Sequence, residues 1–104
     1  MTYRRKSDGN QQVLMDYARS IGMSVDDIHR EPKVLDLLVG YMGVDQRVEV
    51  KQPGEKLNAN EADIFENWRG RPPVIWETTA DVERTRTAMM STAMKLKGTE
   101  PARR

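Results

Sequence analysis

The sequence predicts a mainly α fold: a small helical domain of about four or five helices with one short β-hairpin. Three observations lead there. Apolar residues recur at helical spacing in several separate stretches of the 104-residue chain. Capping residues open those stretches, and Gly or Pro closes them. Only Arg47-Val48-Glu49-Val50-Lys51 alternates charge and valine as a half-buried strand does.

Composition narrows the class before any element is placed. The chain is 38% hydrophobic and 32% charged, with a mean hydropathy of −0.74, enough for one modest core. No cysteine is present, which excludes disulfide scaffolds, thiolate zinc sites and cysteine nucleophiles. No uninterrupted apolar run exceeds three residues, as in Leu37-Leu38-Val39, far short of the roughly 20 that cross a bilayer. Arg4-Arg5-Lys6 resembles the start of a secretion signal, but polar Ser7 to Gln12 follow. A cytoplasmic protein without membrane contact is expected.

Charge is uneven. Residues 1–23 carry four basic and two acidic side chains, residues 24–66 five and ten, and residues 67–104 eight and four. Basic ends thus flank an acidic middle, and Arg4, Arg5, Lys6, Arg103 and Arg104 are placed to act as short arms. Residues 1–9 are expected as a flexible basic arm, 10–98 as one domain and 99–104 as a flexible tail.

From Asn10 the pattern is helical, with Val13, Leu14, Tyr17, Ala18 and Ile21 on one face and Gly22 as terminator. Ser24-Val25-Asp26-Asp27 has the form of a capping box and predicts a second, short helix, cut by Pro32. Pro32 then opens a third, in which Leu35, Leu38, Val39 and Met42 form a stripe ending at Gly43. After the strand at 47–51, Gln52-Pro53-Gly54-Glu55 is a type II turn. The strand's partner is either Lys56–Asn58 or Val74-Ile75-Trp76. Asn60-Glu61-Ala62-Asp63 caps a short helix to about Trp68, and Thr78-Thr79-Ala80-Asp81 caps the last one, to about Lys97.

Tyr17 to Arg30 resembles a helix-turn-helix unit of DNA-binding proteins: Ala18, Gly22 and Ile28 stand where that motif needs a small residue, a turn glycine and a branched apolar residue. The resemblance implies a recognition helix opening at Ser24, with Val25, Asp26, Asp27 and His29 towards base edges and Arg30 near its end. Two carboxylates there depart from the pattern, since only a cytosine amino group welcomes one. In this reading the turn at Pro53-Gly54 is a wing, with Arg47 and Lys51 on phosphate. Arg69-Gly70-Arg71-Pro72 resembles the core of an AT-hook, which implies insertion of Arg69 and Arg71, with Gly70 between them, into the minor groove of A·T-rich DNA. The alternative is a surface loop whose arginines stack on Trp68 or Trp76.

His29 is the only histidine. It lacks a positioned nucleophile or second histidine, and His29 with Asp26 and Glu31 has no familiar ligand spacing. No enzymatic activity, metal or cofactor is therefore expected. The last helix carries Val82, Met89 and Leu96 seven apart, with Met90, Ala93 and Met94 beside them. This is either core or the seam of a homodimer or protein partner. The two DNA-like motifs favour a small DNA-binding regulatory protein. The alternative is a protein-binding adaptor or inhibitor of phage or mobile-element type, acting through the acidic middle and the Met-rich helix.

Overall fold

A computed structural model describes residues 5–28 and 35–99. Its elements run α1 (Arg5–Ser20), β1 (Ser24–Asp27), β2 (Leu37–Tyr41), β3 (Val44–Val50), α2 (Ala59–Asn67), β4 (Val74–Trp76) and α3 (Thr79–Thr99). One sheet in the order β1-β2-β3-β4 is antiparallel except for the β3–β4 pair, which is parallel. The mainly α expectation of four or five helices is thereby overturned: among the described residues three helices accompany a four-stranded mixed sheet, an α/β fold.

α1 ends as its sequence suggests. Gly22 sits at φ +95°, Met23 N–H donates to Ala18 C=O and Gly22 N–H to Arg19 C=O, both at 3.1 Å. This is the glycine-terminated motif that satisfies the last helical carbonyls. The helix starts at Arg5, earlier than expected. Its buried face is Leu14, Met15 and Ala18; Val13, expected inside, is exposed.

After Gly22 the chain does not begin a second helix. Ser24–Asp27 pairs antiparallel with Leu37–Gly40 as β1, with Val25 alone turned into the core. The helix-turn-helix arrangement is therefore absent. Asp26 and Asp27 are edge-strand residues, and Ile28 continues the pairing through its N–H to Asp36 C=O at 2.9 Å. His29 and Arg30 lie outside the described residues.

The third expected helix is also strand over Leu37–Tyr41, because β2 is central. With neighbours on both sides, it carries a nearly continuous apolar run whose spacing also satisfies a helical template. Gly43 is not a helix end. Met42 at φ +53° and Gly43 at φ +80° form the two-residue link between paired Tyr41 and Val44, with the sign of φ that a type I′ hairpin requires at both positions.

Core residues alternate along β3. Val44, Gln46, Val48 and Val50 face α1 and α3 together with Leu37 and Val39, while Asp45, Arg47, Glu49 and Lys51 face the other way. Trp76 fills the centre at 0% exposure, and its indole N–H donates to Thr85 Oγ1 of α3 at 2.9 Å. The turn at 52–55 forms as expected, with Gly54 at φ +86° and Glu55 N–H on Gln52 C=O. Of the two candidate partners for β3, Val74–Trp76 is the one that pairs. The connecting helix α2 is capped by Asn58 rather than Asn60, in a capping box with Glu61. α2 buries no residue completely and is tied to the outward face of β3 through Lys51 and Arg47. Among the described residues no helix is long and apolar enough to cross a membrane.

Candidate functional site

The β2–β3 register brings together three residues that the sequence separates. Leu37 pairs with Val48, so Asp36, one step earlier, falls opposite Glu49. Directly opposed residues of an antiparallel pair share a face, and this face is the one away from the core. Asp36 Oδ2 accepts Val50 N–H at 2.9 Å, which fixes the carboxylate at the strand end. Lys51 is two residues beyond Glu49 and therefore on the same side.

Lys51 is buried, with only 8% of its side chain exposed, and its ammonium lies 2.7 Å from Glu61 Oε1, 3.6 Å from Glu49 Oε2 and 3.9 Å from Glu55 Oε2. Glu61 Oε1 also accepts Asn58 N–H at 2.9 Å, so one carboxylate both caps α2 and holds the lysine. From the opposite layer, Asn10 of α1 donates to Lys51 C=O at 2.9 Å and to Glu77 C=O at 3.4 Å. This bridge fixes the ends of β3 and β4 relative to each other.

Charge is strongly perturbed here. Glu49, 4% exposed, is pushed up to about 9 by burial, by its hydrogen bond to Glu61 and by the negative charges of Asp36 and Glu61, against the pull of Lys51. Burial opposes ionisation of Glu61 too, but hydrogen bonds from Glu49, Lys51 and the Asn58 backbone hold it below the usual carboxylate range. Lys51 loses stabilisation to burial, yet Glu61, Glu49 and Glu55 keep it above its ordinary value. The result is a protonated Glu49 beside ionised Glu61 and a retained ammonium. Clusters of this kind, where burial and like charge force a carboxyl to keep its proton, concentrate at functional sites. Among the described residues no group of three or more His, Cys, Asp or Glu side chains could hold a metal ion.

The residues singled out from sequence lie elsewhere or in other roles. Lys51 is in this cluster, not on an exposed wing. Arg47 stacks on Trp68, its guanidinium carbon 4.2 Å from the ring centroid. Arg71 is fixed inside the fold: Nε donates to Gln46 Oε1 at 3.0 Å and Nη1 to Thr92 Oγ1 at 2.8 Å. Arg69 is exposed, so the two arginines of the AT-hook-like element do not project as a pair. Gly70 has a structural reason to be glycine, since a Cβ there would lie 2.7 Å from Trp68 Nε1. Arg5 and Lys6 belong to the first turn of α1; Arg4 and Arg30 lie outside the described residues.

On α3, Val82 and Met89 are at 0% exposure and belong to the core. Met90 and Ala93 are half-buried, and Met94 and Leu96 are exposed. Ala93, Met94 and Leu96 line a cavity of about 430 Å³ with Met42 and Val44.

Sequence reasoning missed Asp36 and Glu61 as site residues; it valued Glu49 only as part of an alternating strand and Lys51 as a phosphate contact on an exposed wing. The available signal was Glu49-Val50-Lys51 on a strand, preceded by an aspartate at the start of an apolar run. Comparison with protein-family models, curated proteins and solved structures finds no significant match.

Proposed function

We propose that this chain is a metal-dependent nuclease domain that hydrolyses DNA phosphodiester bonds at the Asp36–Glu49–Lys51 cluster. The carrying observation is the juxtaposition itself: two carboxylates opposed across β2 and β3, with a buried lysine on the same face. Mg²⁺ needs only one or two protein carboxylates when a substrate phosphate and waters complete its octahedron. A cation there would replace the proton that Glu49 retains. It would supply a bound water of lowered pKa and would neutralise charge on the phosphate.

The residues then divide the work. Asp36, fixed by Val50 N–H, and Glu49, supported from α2, provide the oxygens. Lys51 donates from its ammonium to a non-bridging phosphate oxygen as charge builds up there. Water oxygen bonds to phosphorus, one ester P–O bond breaks, and the products are a phosphomonoester and a hydroxyl. DNA lacks a 2′-hydroxyl to attack its own phosphate, so it is the polymer that requires such an external, activated water. DNA thus remains the partner that the sequence suggested, with catalysis in place of regulation. The expected cytoplasmic location stays part of this reading.

The test is Mg²⁺-dependent cleavage of plasmid and single-stranded DNA. Asp36→Asn is expected to slow it by at least about 10²-fold without loss of fold by circular dichroism, and Lys51→Ala to slow it likewise while also lowering the melting temperature, because it strands Glu61. A wild-type protein that cleaves neither substrate, or an Asp36→Asn variant at full rate, refutes the assignment.

A protein partner or second copy is the other reading, favoured by the exposed Met94 and Leu96 beside Met42. Light scattering over a concentration series separates a second copy from a different partner.

A further inference from the structure

Trp68, unlike Trp76, is not part of the core. It forms the C-cap of α2 and is 44% exposed, whereas Trp76 is completely buried. Its ring is held in place: Arg47 lies over one face at 4.2 Å, and Gly70 leaves room for the indole edge. Beside it is a groove of about 330 Å³ lined by Leu38, Asp45, Gln46, Arg47, Trp68 and Arg71. The groove opens where β3 lacks a neighbour, since β4 pairs only with Val48–Val50. Of its lining, Leu38, Asp45 and Arg47 belong to the outward face of the sheet, Arg47 two residues along from Glu49.

We propose that Trp68 and this groove bind an unpaired nucleobase of a DNA strand whose phosphate lies at the neighbouring carboxylate–lysine cluster. The inference rests on the nuclease reading for the position of that phosphate. Three features select a base. A rigid, exposed indole backed by a guanidinium presents a stacking surface, and a base gives up its π-face to such a surface only when it is out of a duplex. Asp45 on the groove wall repels a phosphate but accepts from the N–H groups that an unpaired base exposes on its pairing edge, the thymine imide N3–H or a cytosine amino group. Arg47 and Glu49 are i and i+2 on one strand, about 6.6 Å apart, so a chain running along β3 meets the cluster and the indole in succession. The substrate class is therefore DNA with single-stranded character near the scissile bond, in preference to blunt, fully paired duplex.

The test is fluorescence and anisotropy titration with an oligothymidylate and with a blunt duplex, Ca²⁺ replacing Mg²⁺. Oligothymidylate is expected to quench the exposed Trp68. Trp68→Ala is expected to weaken its binding about 5- to 150-fold, the worth of one base–aromatic stack, while duplex binding changes less than about twofold. Trp68→Phe, which keeps a ring, should retain most of the affinity. Unquenched emission at saturating oligothymidylate overturns the proposal, and this outcome needs no variant to fold. Equal loss on single strand and duplex overturns it as well. Cleavage that persists in Mg²⁺ and disappears in Asp36→Asn, with Trp68 shown not to stack, leaves the nuclease reading standing alone. Stacking without any Mg²⁺-dependent cleavage removes the nuclease reading instead.

Discussion

Glu49 ties the stability of the fold to pH in a way that can be measured. In the unfolded chain its carboxyl titrates near 4.5; in the folded chain it is held near 9. Between those values the folded protein carries one proton that the unfolded chain has released, so stability falls as pH rises. The slope of unfolding free energy is then at most about 1.4 kcal/mol per pH unit. From pH 6 to 8 the ceiling is a loss of about 2–3 kcal/mol. In a domain of this size that lowers Tm by roughly 10–20 °C, at about 4–8 °C per kcal/mol.

The groups facing Glu49 do not mask this window. Glu61, held low, loses its contribution only below the usual carboxylate range. Lys51, held high, loses its own only above the usual lysine value. Glu49→Gln, an isostere that cannot ionise, should flatten the profile and melt above wild type at pH 8. Melting curves by calorimetry at pH 6, 7 and 8 provide the assay. Saturating Mg²⁺ should restore wild-type stability at pH 8 and release a proton as it binds, with neither effect in the variant. Parallel pH profiles for the two proteins would falsify the account of a proton trapped between Asp36 and Glu61.

Two further predictions concern the scaffold. Thr85→Val should destabilise the fold by about 1–3 kcal/mol, because the Trp76 indole N–H then stays buried without its acceptor; urea unfolding checks this, and an unchanged midpoint would mean the bond carries no net weight. Met42→Asn should stabilise by about 0.5–1 kcal/mol, because asparagine tolerates the positive φ that a methionine must adopt in the Met42-Gly43 turn; a lowered melting temperature would contradict the turn geometry.

What could be read from residues alone follows a physical divide. Features fixed by neighbours in sequence were legible: the Gly22 terminus, the Pro53-Gly54 turn, the start of α3 at Thr78–Asp81 and the alternation of β3. β1 and β2 were not, because strand identity depends on partners far along the chain. Leu35, Leu38, Val39 and Met42 satisfy a helical stripe as well as Leu37 and Val39 satisfy a strand, and only pairing with Val44–Val48 decides. That error hid the site. On a helix, Asp36 sits on the solvent side and has no relation to Glu49; on β2 it lies opposite Glu49. Two polar residues on the inner side of α3 have clear roles in the fold, Thr85 for Trp76 and Thr92 for Arg71.

The site and α2 also depend on each other. α2 buries no side chain completely, so apolar area alone gives it little hold on the sheet. Its attachments include the Lys51–Glu61 pair and the Glu49–Glu61 hydrogen bond within the cluster and the Arg47–Trp68 stack on the same face of β3. Removing one partner of a buried ion pair strands the other, which costs about 3–5 kcal/mol, more than the roughly 0.5–2 kcal/mol of a cation–π contact. The charges that perturb Glu49 are thus also the main fastening of the helix above it. A phosphate that draws Lys51 from Glu61 loosens α2 at its N-terminus, while Arg47 and Trp68 still hold its other end.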